Sequence, residues 1–157
     1  MQRQRRYIAD PFQRDFKEVM IQMTYKKPLP RHNPDTKTFW DGCRQHELQF
    51  QKCFPCGHVR WPASIICPMC YSKETEWIKA SGKGTVYTYA VYHQAFHPSF
   101  EKDIPYVTAI IKLAEGPHFL SNIVGCRSDE VYCDMPVEVT WEDVDEAFSL
   151  PKFKPDT

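Results

Sequence analysis

No stretch of this sequence approaches eighteen consecutive apolar residues, and the basic start MQRQRRYIAD has no apolar run behind it. A membrane span needs about 20 apolar residues and a secretory signal needs an apolar core after its charges. Neither is expected, and the chain reads as cytoplasmic. Net charge is lacking too: 20 Lys and Arg offset 20 Asp and Glu. That balance argues against a surface built wholly for nucleic acid or an anionic membrane. Glycine is scarce, six residues against thirteen prolines, in a chain that is 14% aromatic. Such a composition favours short elements and many turns over a helical bundle. No internal repeat is visible.

What is present fits one ordinary domain or two very small ones: 157 residues, 42% apolar and 25% charged. The charge balance is global rather than local. Residues 1–37 carry nine Lys/Arg and four Asp/Glu, whereas Ser128 to Pro151 holds eight acidic residues and no Lys or Arg. An asymmetry of this kind can steer association or pair one segment with another, or it can simply be a solvated arm and a solvated rim.

The sequence divides into an N-terminal helical arm and linker (1–37), a helix plus ribbon (38–80) and a barrel with its tail (81–157). In the arm, Asp10 can cap and Pro11 suits a first turn. Phe12, Phe16, Val19, Met20 and Met23 then form one apolar stripe at helical spacing, able to dock on the chain's own core or on a partner. Pro28, Pro30 and Pro34 end any continuous helix. A second helix is expected to begin near Thr38, with Thr38 and Asp41 at capping-box spacing. Phe39, Trp40, Cys43 and Phe50 supply its apolar contacts before Cys53. After Gly84 the chain turns β-branched and aromatic. Segments 85–93, 106–113, 118–124, 137–141 and 147–153 read as five short strands with no long helix between them. The fold class is therefore mainly β, with N-terminal helices and a five-stranded OB-type barrel.

Seven cysteines are many, and four fall as CFPCGH (53–58) and CPMCYS (67–72), giving C-x2-C-x10-C-x2-C. Two residues between cysteines let a tight turn aim both sulfurs at one ion. Two such turns make a closed site of four thiolates, Cys53, Cys56, Cys67 and Cys70. Gly57 follows the first pair, where a left-handed residue closes the turn without steric conflict, while Tyr71 holds the equivalent place after the second pair. Structural zinc is the expected occupant, because a ribbon of about twenty residues cannot bury a core of its own. Iron is the rival, since four thiolates hold iron too. A closed site of this kind has no position for substrate; it staples rather than catalyses.

With ribbon and barrel placed, the chain resembles the zinc-ribbon, OB-fold acyl-CoA-associated proteins, long catalogued as a domain of unknown function. The matching pieces are FWDGCRQHELQFQKC (39–53), CGHVRWPASIICPMC (56–70), EWIKASGKGTVYTYAVYH (76–93), PYVTAIIKLAEGPHFLSNIVGC (105–126), MPVEVTW (135–141) and LPKFKP (150–155). They occur in the family's order over roughly residues 28–155. The resemblance implies a rubredoxin-like zinc ribbon before the OB barrel. It also implies a partner from the thiolase superfamily acting on acyl-CoA, with the catalytic residues on that partner. On this reading the chain is a non-catalytic subunit that supports assembly and accommodates CoA thioesters. The reaction would be thiolytic cleavage or condensation of a 3-oxoacyl-CoA, with an aromatic substrate such as benzoylsuccinyl-CoA as one setting.

Other residues are candidates for chemistry. Cys43, Cys126 and Cys133 lie outside the ribbon and could act as nucleophiles beside a histidine, although free cysteines are usually small buried apolar residues. His93, Phe96 and His97 occupy a loop between the first two barrel strands, at a barrel mouth where OB folds meet ligands or partners. Lys83, in S-G-K-G, could meet a phosphate, or could simply sit in the turn entering the barrel. The alternative function is single-stranded nucleic-acid binding, with Tyr87, Tyr89 and Tyr92 stacking on bases. The net acidity of residues 38–157 argues against the positive groove that mode requires.

Overall fold

The structure, a computed structural model, describes residues 27–31 and 33–156. The helix expected over Phe12–Met23 lies outside the described residues. Among those described, no helix is long and apolar enough to cross a membrane.

The first described element is helix α1 (Lys37–Arg44). Its entry differs from the expected capping box. Asn33 Oδ1 accepts from both the backbone N–H and the hydroxyl of Thr36, each at 2.8 Å. Asp41, one turn into the helix, pairs instead with Lys37. The helix also stops sooner than the apolar pattern implies, and Phe50 belongs to a strand. The stop is a left-handed turn: His46 takes φ +59°, and its N–H returns to the Cys43 carbonyl at 2.9 Å. Gly42 permits this close return. A β-carbon there would lie 2.9 Å from the Glu47 carbonyl oxygen.

A small antiparallel sheet follows, with β1 (Gln49–Cys53) between β2 (Val59–Arg60) and β3 (Thr75–Lys79). Gln51 lies opposite Arg60 on one side and Trp77 on the other. Then come β4 (Lys83–Tyr92), β5 (Tyr106–Leu113), β6 (His118–Ile123), β7 (Pro136–Asp143) and β8 (Ser149–Pro155). They close a barrel in the order β4-β5-β6-β8-β7, within a few residues of the five expected strands. Strand β4 pairs with both β5 and β7, so it must bend. A register shift between Val86 and Thr88 bends it. Gly82 and Gly84 admit the neighbours: a β-carbon on Gly82 would meet Val139 Cγ1 at 2.4 Å, and one on Gly84 the Lys112 carbonyl at 2.6 Å. The barrel shuts where β6 runs parallel to β8, Ile123 beside Phe153.

Alternation fills the interior. Val107, Ala109, Ile111 and Leu113 of β5 are all buried, as the two-residue period of a strand dictates. Helix, ribbon and barrel share one core rather than three. Phe39 of α1 is fully buried, with its ring 4.1 Å from Trp61, 6.2 Å from Phe50 and 5.9 Å from Phe119. Burying an aromatic of this size stabilises by roughly 1.5–3 kcal/mol. The acidic residues of β7 find partners: Glu138 pairs with Lys154 at 3.0 Å and Glu142 with Lys152, and the Asp143 carboxylate lies 2.7 Å from His46 Nε2.

Candidate metal centre and exposed faces

The two cysteine turns repeat one hydrogen-bond pattern. Gly57 N–H returns to the Cys53 carbonyl and Tyr71 N–H to the Cys67 carbonyl, both at 2.9 Å. Cys53 and Cys67 N–H likewise donate to the His58 and Ser72 carbonyls. Gly57 and Tyr71 both adopt positive φ, +70° and +60°. The second turn therefore has the geometry of the first, held by a tyrosine in a conformation that favours glycine.

Packed face to face, the turns bring four sulfurs together. Cys53 and Cys70 approach to 3.5 Å, Cys56 and Cys67 to 3.6 Å, and all four lie within 4.8 Å of one another. Cys53 and Cys67 are buried; Cys56 and Cys70 reach the surface. Backbone N–H groups face the sulfurs: Cys56 donates to Cys53, Met69 and Cys70 to Cys67, and Ser72 to Cys70. Burial raises the Cys67 pKa, but the Met69 and Cys70 N–H groups and the thiols of Cys56 and Cys53 bring it down to about 6. At Cys53 the Cys56 N–H lowers the pKa, yet burial and the neighbouring sulfurs push it up to about 12. One thiolate is favoured and another opposed, which is what four like charges in one small space must produce. A divalent cation among them removes the conflict, so the donor set fits a metal held by four thiolates.

Cys43 and Cys126 are poorly placed as nucleophiles. Burial pushes the Cys43 thiol up to about 12. Burial, and then the charge of Glu130, also raise that of Cys126. Cys133 is exposed.

Lys83 and the histidine loop do not come together. Lys83 opens β4, while His93 follows its other end, about 30 Å of strand away. Lys83 Nζ pairs with Asp156 at 2.9 Å, and the glycines beside it are spent on barrel packing. In the loop, His97 Nδ1 lies 2.6 Å from Ser99 Oγ and accepts from the Ser99 N–H, capping a short 3-10 turn (Pro98–Phe100). Phe96 stands three-quarters exposed against the edge of Tyr92; His93 is exposed. The ribbon is bare as well: Phe54, Ile65, Met69 and Tyr71 are each at least 66% exposed. Nothing in the residues alone marks this group, because apolar residues near cysteines look like core.

Comparison with known proteins returns the same two parts. Residues 40–76 match the ChsH2 rubredoxin-like zinc ribbon domain, and residues 77–142 the ChsH2 C-terminal OB-fold domain. A DUF35 domain-containing scaffold protein of Methanocaldococcus jannaschii is 48% identical over 60% of this chain and 67% of its own length. A probable enoyl-CoA hydratase alpha subunit of Thermomonospora curvata is 36% identical over 82% of this chain. The chain spans only 40% of that subunit's length. Among solved structures, a chain of the Ltp2-ChsH2(DUF35) aldolase superposes with a TM-score of 0.74 at 36% identity, covering 81% of this chain and 98% of its own.

Proposed function

This chain belongs to the DUF35 family of ChsH2-type zinc-ribbon and OB-fold proteins, and we propose that it is the non-catalytic, zinc-containing subunit of a thiolase-type acyl-CoA enzyme. Cys53, Cys56, Cys67 and Cys70 would hold the zinc. When bound, the ion ties the two turns together and supplies no open coordination position. The observation that carries the reading is the bare apolar rim around this centre. Phe54, Met69 and Tyr71 stand in solvent on the two cysteine turns, and Ile65 on the segment between them. A cluster of that kind marks a contact surface rather than a core.

Relatives named as scaffold protein, hydratase subunit and aldolase component support a life beside an enzyme. The thiolase assignment is ours. In the thiolytic direction a partner cysteine would attack the 3-oxo carbonyl, and the C2–C3 bond would break to release the shortened acyl-CoA once C2 takes up a proton. The thiol of a second CoA would take the acyl group from the cysteine, with condensation the reverse. This chain would hold the partner's active shape and help accommodate the CoA thioester. Affinity purification of the tagged chain from its native host tests this. A thiolase-like protein should be retained at fixed stoichiometry. Recovery of the chain alone, or with a hydratase or aldolase instead, would overturn the thiolase assignment.

A further inference from the structure

Strand β4 has a neighbour on both sides for only part of its length. Strand β7 pairs with it at Lys83–Thr85 alone, and the last backbone bonds on that side join Val86 to Asp134 and Met135. Beyond them only β5 remains, opposite Thr88 through Tyr92. The ladder fixes where the other backbone groups point. Leu113 N–H donates to the Pro117 carbonyl, so alternate residues of β5 face β6, and Ile110, Thr108 and Tyr106 face β4. Thr88, Ala90 and Tyr92 lie opposite those three. Tyr89 and Val91 therefore turn their N–H and carbonyl groups outward, where no described residue bonds to them. The edge is open: Tyr87 is 59% and Tyr89 36% exposed, and Thr88 and Ala90 are exposed too.

Open edges are normally blunted by lysine, proline or a covering segment, because their free backbone groups recruit another strand. Tyr87–Tyr92 reads YTYAVY, with no charged residue and no proline. It also matches itself. Turned about a two-fold axis at Ala90, the strand runs antiparallel to its own copy. Ala90 then faces Ala90 at a non-hydrogen-bonded position, where Cα atoms approach to about 4.5 Å and a small side chain fits. Tyr89 of each copy faces Val91 of the other with reciprocal N–H···O bonds, an aromatic against a β-branched residue. At each end the exposed His93 of one copy runs toward the exposed Asp134 of the other, a ring N–H against a carboxylate. Nowhere along the edge do like charges meet. We propose that the outer half of β4 joins two copies of this chain in a symmetric dimer, edge to edge. The assignment is independent of which enzyme the ribbon meets.

The test uses the full-length, metal-loaded chain. Analytical ultracentrifugation is expected to give the mass of two chains. Val91→Pro deletes an N–H that points away from β5, so the barrel ladder survives. It removes half of the reciprocal bonds, and the dimer should dissociate about tenfold or more readily. If that variant fails to fold, Ala90→Glu decides, because it sets like charges on the axis and should weaken the dimer as much. Ala90→Cys in a Cys133→Ser background should form a disulfide-linked dimer in glutathione buffer, whereas Thr88→Cys should not. Zinc content and far-UV circular dichroism report folding. A monomeric native chain would overturn the proposal. In that monomer, Tyr89 and Val91 amides protected from hydrogen exchange would assign the edge to a segment of the same chain. Protection gained only on adding the partner enzyme would assign it to that enzyme. A dimer unmoved by a folded variant, or one without the Ala90 cross-link, would overturn the proposal as well.

Discussion

The rings of Phe39 and Phe119 lie 5.9 Å apart, one on the helix before the ribbon and the other inside the barrel. The shared core follows from that contact. Phe39→Ala should cost about 3–5 kcal/mol, the usual range for deleting a buried aromatic. The loss should appear in ribbon and barrel together. Urea denaturation followed by Trp61 fluorescence and by far-UV circular dichroism should give coincident transitions at lower urea. A barrel transition left at its original midpoint would separate the two parts.

Tyr71 repeats the backbone of Gly57 at φ +60°. Left-handed geometry disfavours a residue with a β-carbon by roughly 1–2 kcal/mol, partly offset by the entropy glycine loses on folding. Tyr71→Gly is therefore expected to raise stability by up to about 1 kcal/mol, measured as a higher urea midpoint at unchanged m-value.

The metal centre makes its own prediction. Elemental analysis should find about one equivalent of zinc per chain. Cys53→Ser should lose it, and the amides of Gly57 and Tyr71 should lose their protection from hydrogen exchange. Retained zinc in the variant would refute the ligand set. Iron in its place would show as visible absorbance.

Acid should loosen the joint between α1 and β7. Hydrogen bonds from His46, then from Ser149, hold the Asp143 carboxyl below its ordinary 3.8. A carboxylate with a lowered folded pKa stabilises fully above its unfolded pKa, and that contribution vanishes as pH falls through the folded value. The stability gap between the native chain and Asp143→Asn should be constant above about pH 5 and shrink below 3.8. A gap that stays constant down to pH 2.5 would contradict the assignment.

Much of this was legible in the residues. Short β-branched and aromatic runs marked all five barrel strands, although β4 buries only Val86. Cysteine spacing gave the metal centre, since only two facing turns explain it. The apolar pattern overextends helix α1 because Phe50 fits a helical stripe as well as a strand. What ended the helix was His46 in a left-handed conformation, which a histidine does not advertise. Strand β3 went unseen: Thr75–Lys79 is only half-buried and lacks the β-branched run that marks a strand.

Turnover of an acyl-CoA thioester tests the division of labour most directly. The metal-loaded chain should show none alone, and adding the co-purified partner should restore it. The rate should be unchanged when Cys43, Cys126 or Cys133 of this chain is replaced by serine. Thioester cleavage by the isolated chain, abolished by Cys126→Ser, would contradict the account.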